Sequence, residues 1–209
     1  MRFVPNLTFS QLTNFHIIDL LTTMTFNPLI HHRRSVRLRE FDYSQAGAYF
    51  ITICCYNRTC LFGKIHNGAM ILNPYGEIAY KEWMHTPEIR TNIDLGPFIV
   101  MPNHIHGIIH LHSIEPVAND KLPTPSTTIA AILRGYKASV TKQIRELKNT
   151  RLKHGGRTEM NGKFAAEFQV WQRSYYEHVI RSAASLQSIS QYIINNPATW
   201  GMDELYESR

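Results

Sequence analysis

Met101-Pro-Asn-His-Ile-His-Gly107 carries two imidazoles, His104 and His106, two residues apart in an apolar run. Gln191-Tyr-Ile-Ile-Asn-Asn-Pro197 carries a phenol, Tyr192, four residues ahead of a carboxamide, Asn196. On a strand, side chains alternate, so His104 and His106 face the same way. Two neighbouring imidazoles make half of a metal site, and the metal's identity depends on the remaining ligands. On a helix, Tyr192 and Asn196 share a face. The Asn196 carboxamide oxygen is a hard donor, suited as a third ligand to Mg²⁺ or Mn²⁺. A phenol held beside a metal-polarised phosphate can attack phosphorus. Its ordinary pKa is about 10, so a base or metal-bound hydroxide would help, and the residues do not identify one. Each pattern alone has a plainer alternative. The histidines could simply pack, and Tyr192 could be a core aromatic with a wet hydroxyl. His110 and His112 share the strand face of the pair. At ~3.3 Å per residue His110 lies roughly 13 Å beyond His106, too far to share one ion. Both are taken as structural or surface histidines.

These groups need a sheet and a helix to hold them. Ala48 to Tyr56 is β-branched and aromatic, the composition of a buried strand. Two short strands, 61–65 and 69–72, flank an Asn67-Gly68 hairpin signal. Asn73 caps and Pro74 starts a helix expected to run to about His85, with Thr86-Pro87 ending it. Residues 98–101 form a short apolar strand that Pro102-Asn103 interrupts and 105–111 resume. The clearest helix runs from Ile129 to Leu147, with Ile129, Leu133, Tyr136, Val140, Ile144 and Leu147 on one stripe. Phe168 to Trp171 is a further short strand, and Ser185 to Asn196 a final helix that Pro197 stops. Strands, helix, strands, helix, short strand and helix suit an α+β fold. Its expected form is an antiparallel sheet with helices packed mainly on one face.

The charge is +6, which favours a polyanionic partner and says little about fold. Its distribution is more telling. Arg134, Lys137, Lys142, Arg145 and Lys148 lie on the long helix, away from the apolar stripe, and His154-Gly-Gly-Arg157 continues them as a basic loop. Arg33, Arg34, Arg37 and Arg39 make a second basic patch. Either group could follow a phosphate backbone, and either could be an ordinary solvated face. Three clustered cysteines, Cys54, Cys55 and Cys60, give neither a disulfide framework nor a zinc ribbon, and fit a reduced cytoplasmic setting. No window reaches the ~18 apolar residues of a membrane span, and residues 1–24 lack the features of a signal peptide. Residues 1–34 are expected to be an irregular extension, 35–200 the working domain, and 201–209 a tail.

Four segments in order resemble one family. Arg39-Glu-Phe-Asp-Tyr-Ser-Gln-Ala-Gly-Ala-Tyr-Phe-Ile-Thr-Ile53 is similar to the opening strand of the REP-associated tyrosine transposases and their insertion-sequence relatives. Val100-Met-Pro-Asn-His-Ile-His-Gly107 resembles their HUH motif, in which U is an apolar residue. Trp171-Gln-Arg-Ser-Tyr-Tyr-Glu-His-Val-Ile-Arg181 resembles the segment before their catalytic helix, and Gln191–Pro197 that helix itself. The resemblance spans roughly residues 35–200. It implies a ferredoxin-like core, with His104, His106 and Asn196 as metal ligands and Tyr192 as nucleophile. It further implies cleavage of single-stranded DNA at or near hairpins, through a 5′-phosphotyrosine link and a free 3′-hydroxyl. Tyr175, Tyr176 and His178 become candidates for the site wall or DNA contacts, or simply for packing of an edge strand. Similarity to the REP-associated group favours a monomer over a domain-sharing homodimer.

Three other readings compete. A DNA- or RNA-binding repressor that has lost cleavage would share fold and charge, but would not need all four of His104, His106, Tyr192 and Asn196. A metal-dependent hydrolase of small phosphates would need neither Tyr192 nor the basic helix. A purely structural protein would not bind metal stoichiometrically.

Overall fold

The computed structural model describes residues 45–113, 128–153, 168–203 and 205–206. All lie within one compact unit, residues 41–209. Residues 1–34 with Arg33 and Arg34, the neighbouring Arg37 and Arg39, and the basic loop 154–157 lie outside the described residues.

Four strands form one antiparallel sheet: β1 (Gly47–Cys54), β4 (Ile93–Val100), β5 (His104–Leu111) and β6 (Tyr176–Ile180), in the order β4-β5-β1-β6. β2 (Gly63–His66) and β3 (Ala69–Leu72) form a separate hairpin. Its turn is the expected Asn67-Gly68, at φ 50° and 71°, with both residues in the left-handed region a two-residue turn demands. The helices are α1 (Pro74–Ile89), α2 (Ile129–Lys153) and α3 (Ala183–Asn195). Strand order and antiparallel pairing agree with the α+β, ferredoxin-like expectation.

Strand alternation sorts the core into two clusters. Tyr49, Ile51 and Ile53 of β1 and Ile105, Ile109 and Leu111 of β5 face α1 and α2. Phe50 and Ile108 face the other way and pack against Ile189 and Ile193 of α3. Two helices thus cover one face and α3 covers the other. The α2 stripe is buried from Ile129 through Ile144, as its spacing implies, and Leu147 is half-buried.

Four details differ from the sequence pattern. Pro87 does not end α1; the helix runs two residues past it, and the Arg90 N–H still reaches the Thr86 carbonyl at 3.0 Å. Pro102-Asn103 does not interrupt one strand. It sits in the bend of a β4–β5 hairpin, with Val100 paired to Ile105 and Met101 N–H donating to His104 O at 2.8 Å. β4 is longer than the apolar run suggested because it begins at Ile93, and its pairing shifts register between Leu95 and Phe98. Phe168–Trp171 supplies only an isolated bridge, Cys55 to Trp171; the edge strand is 176–180, whose half-buried residues hid its alternation.

Gly107 beside His106 has a packing reason. A Cβ there would lie 2.5 Å from Cζ2 of Trp83, whose ring stacks on Phe98. The bare backbone of β5 lets α1 seat its indole directly on the sheet, behind the imidazoles.

Candidate active site

His104 and His106 enter from the first turn of β5 on the face that α3 covers, and both are buried. Their ring centroids are 4.4 Å apart. α3 starts at Ser182, whose Oγ caps the Ser185 N–H at 3.1 Å, and runs so that Ile189 and Ile193 face the sheet. Tyr192, beside that stripe, sets its hydroxyl 3.2 Å from Nε2 of His106. Phe50 frames the arrangement: His106 stacks on it at 5.3 Å, and Tyr192 and Tyr176 each meet it edge-on at 6.2 Å. The structure therefore brings together the two imidazoles and the phenol that the sequence places far apart.

Hydrogen bonds fix which imidazole nitrogen is bare. Asn103 Nδ2 donates to Leu205 O at 2.6 Å, which turns its Oδ1 toward Nδ1 of His104, 2.8 Å away. Nδ1 of His104 must then carry the proton, leaving Nε2 as a lone pair. That Nε2 is buried and has no hydrogen-bond partner among the described residues. His106 Nδ1 lies 2.8 Å from the buried hydroxyl of Thr52, its cross-strand neighbour on β1. A polar partner on one imidazole nitrogen is the usual support for metal binding by the other.

Asn196, buried at the end of α3, supplies a second orphan. Its Nδ2 donates to Asp203 Oδ2 at 2.8 Å, while Oδ1 is buried without a partner among the described residues. Leaving such an oxygen bare costs about 1–3 kcal/mol, which binding of a cation would offset. A ligand atom from each of His104, His106 and Asp203 lies within 4.8 Å of the others. Two neutral imidazoles, a carboxamide oxygen and a carboxylate suit a divalent ion with mixed nitrogen and oxygen ligands. The orphaned atoms therefore fit the metal that the family resemblance implies.

Burial, and secondarily the Arg58 charge, push the His104 pKa from its usual 6.5 down to about 3. Burial and then neighbouring His104 hold His106 well below 6.5, against the opposing pull of Asp203. Both imidazoles are thus neutral at pH 7, as metal ligation requires. The sign of the linkage follows. Below pH 6.5 the unfolded chain takes up protons that folded His104 refuses until about pH 3, so stability falls as pH drops through that window. His104 alone should cost about 1.4 kcal/mol per pH unit in the metal-free protein. Urea melts at pH 7, 6 and 5 check this, and a flat profile would mean that the imidazole is already charged in the folded state.

The basic residues of α2 are not brought to this site. Their helix packs on the opposite sheet face. Arg134, Lys142 and Arg145 are exposed there. Lys142 and Arg145 line a shallow depression of about 500 Å³ with Thr141, Asn149 and Trp171. Lys137 is turned inward, donating to the carbonyls of Gln172 and Arg173 at 2.6 and 3.2 Å, so its charge serves the chain's own backbone. Lys148 lies 4.0 Å over the Phe168 ring. Of the histidines set aside, His112 is exposed and bonds Asp94 at 2.7 Å. Sequence spacing missed Asp203, Thr52 and Asn103. The first lies in the stretch read as a tail, where Leu205 is also buried.

No family model matches the chain. An uncharacterized protein of Haemophilus influenzae is 41% identical over 196 residues, covering 88% of this chain and 98% of the relative. A second protein of that organism, named "Putative REP-associated tyrosine transposase", is 26% identical over 165 residues, covering 78% and 77%. The chain is thus similar in sequence to a protein named as a REP-associated tyrosine transposase over most of its length. A solved structure of a REP-associated tyrosine transposase bound to a REP hairpin aligns over 83% of this chain and 76% of its own, at 18% identity and TM-score 0.47. Among the described residues no helix is long and apolar enough to cross a membrane.

Proposed function

We propose that this protein is a metal-dependent single-stranded DNA endonuclease and strand transferase, a transposase that cleaves at or near DNA hairpins. The observation that carries this reading is the approach of Tyr192 Oη to within 3.2 Å of His106 Nε2, beside the orphaned His104 Nε2 and Asn196 Oδ1. His104, His106 and Asn196 would hold Mg²⁺ or Mn²⁺. When bound, the ion would draw charge from a non-bridging phosphate oxygen and orient the phosphate.

The chain's own residues do the rest. Thr52 and Asn103 fix the two imidazole rings. Phe50 meets the phenol ring edge-on and α3 carries it, which sets where the hydroxyl oxygen stands. His106 Nε2 serves one partner at a time. If His106 Nε2 held the ion, its bond to Tyr192 Oη would be given up, and Oη would be available to phosphorus. In the step itself Oη forms a bond to phosphorus and the bond from phosphorus to the 3′-oxygen breaks. The phenolic proton is matched by the one the 3′-oxygen gains, so the exchange is proton-neutral overall. The new 5′-phosphotyrosine ester conserves the bond energy, and a second 3′-hydroxyl can reverse the attack and join strands without ATP.

Arg134, Lys142 and Arg145, exposed on α2, are the phosphate contacts this structure supports best, with Lys148 beside them. Lys137 contributes less, since backbone carbonyls already hold it. The hydroxyl reaches a histidine of the same chain, the geometry of a site in cis, and on this reading the protein is a monomer. Residues 35–200 form the working domain on this reading, joined at the site by Asp203. Three clustered cysteines, too few for a disulfide framework, accord with the cytoplasmic setting of this reading.

The test is a covalent-adduct assay. Protein is mixed with single-stranded hairpin DNA from the flanks of its gene, with Mn²⁺ or EDTA, and run on a denaturing gel. A shifted band with Mn²⁺ and none with EDTA is expected. Hairpin binding with no band under either condition would overturn cleavage and favour a repressor on the same fold.

A further inference from the structure

The stretch after α3 closes back over the imidazole pair. Trp200 lies 5.8 Å from the His104 ring, centroid to centroid, and Leu205 is buried with its carbonyl on Asn103. Between them Asp203 brings a carboxylate into the site. One oxygen, Oδ1, accepts the Leu205 N–H at 2.7 Å, which pins the side chain to its own loop. The other, Oδ2, accepts Nδ2 of Asn196 at 2.8 Å.

That second bond decides a question the carboxamide cannot decide alone. An asparagine amide has two nearly isosteric ends, one a donor and one an acceptor. A carboxylate accepts and never donates, so it selects the end that faces it. Nδ2 must point to Asp203, and Oδ1 must then point away from it, where it is buried and unpartnered. An Asn196 turned the other way would oppose two oxygens and present a donor to the cation. The same carboxylate lies within 4.8 Å of the ligand nitrogens of both histidines, and each carboxylate oxygen keeps a further lone pair after one hydrogen bond.

We propose that Asp203 is the residue that completes the metal site: it holds Asn196 with the ligand oxygen inward, and supplies the site's negative charge as a fourth ligand. This rests on the metal-dependent reading above and adds a residue to it. No chemistry at the phosphate is assigned to Asp203 itself.

Two substitutions separate its jobs. Asp203→Asn is isosteric and lacks the charge; its single oxygen can accept from Asn196 only by giving up the Leu205 N–H that Oδ1 now takes. Asp203→Ala lacks both the charge and any acceptor. Mn²⁺ affinity is measured directly, by calorimetry or by the loss of the free-ion spin-resonance signal, on full-length protein without DNA. Asp203→Asn is expected to weaken Mn²⁺ binding by at least about tenfold, with adduct formation recovering at raised Mn²⁺. Asp203→Ala is expected to weaken it at least as much and to lower the adduct rate even at saturating Mn²⁺, because Asn196 is free to flip. Wild-type affinity in Asp203→Asn would overturn the ligand assignment. A full adduct rate in Asp203→Ala at saturating Mn²⁺ would overturn the positioning role. If the wild-type protein bound no Mn²⁺, the metal-dependent function would fail and this inference with it. Binding by wild type and both variants alike would sink this inference alone.

Discussion

Tyr192→Phe should abolish the covalent DNA adduct while leaving hairpin binding within about twofold of wild type. The substitution removes one oxygen, the atom 3.2 Å from His106 Nε2. The ring that remains keeps its edge-on packing against Phe50, and α3 keeps Ile189 and Ile193 in the core, so the fold has little reason to change. The hydroxyl's bond to His106 is worth about 1 kcal/mol to stability at most. Its loss to the reaction is different in kind, because no other atom of that side chain can attack phosphorus. Adduct should fall by at least about 10³-fold, in the range seen when a catalytic nucleophile is deleted. The denaturing gel reads this directly, and a filter-binding titration on the same preparations reads affinity. A persistent adduct would mean that another tyrosine attacks. Tyr176 would be the first suspect, since its ring also meets Phe50 on the same sheet face, and Tyr175 the second.

Replacing both His104 and His106 with Ala should remove Mn²⁺ binding and cleavage together, the second by a factor at least as large. The two imidazoles are the nitrogen half of the proposed ligand set, and no other group of three metal-ligating side chains exists among the described residues. The double variant also strands Asn103 Oδ1 and the Thr52 hydroxyl, each now bonded to an imidazole. Buried and unmatched, they should cost about 1–3 kcal/mol apiece, so the assay belongs well below the melting temperature of the variant. EDTA-treated wild type is the companion arm, because it removes the ion without disturbing the core. Cleavage that survived both arms would place the ion elsewhere or make the reaction independent of it. Loss in the variant together with activity in EDTA would mean that the histidines act by themselves.

Much of this site was legible in the chain because two of its parts obey simple periods. His104 and His106 share a face by strand alternation, and Tyr192 and Asn196 share a helix face. That α3 would lie on the histidine face needed the family resemblance, since nothing in the helix's own pattern names the sheet side it covers. Asp203 had no local signal at all. It is an acidic residue in a short polar stretch, and its meaning comes from folding back onto residues about a hundred positions earlier, as Asn103 does with Leu205. Lys137 shows a different limit. Helical spacing puts it with the basic residues, but whether a lysine meets solvent or the carbonyls of Gln172 and Arg173 depends on where a distant loop passes. Pro102 shows a similar limit. A proline in an apolar run signals a break, and only the pairing of Val100 with Ile105 turns that break into a reversal of the chain.

The spacing of 86 residues between His106 and Tyr192 also sets an order of events on the ribosome. β1, β4 and β5 are synthesised first, and pairing of β1 with β5 already joins Thr52 to His106. A nascent chain can therefore set its two imidazoles on the sheet before Tyr192, Asn196 and Asp203 have been translated. On the proposed function, a chain that bonds itself to DNA would in this way be harmless during its own manufacture. Competence arrives late, when one short helix settles on the last bare face of a sheet that is otherwise complete.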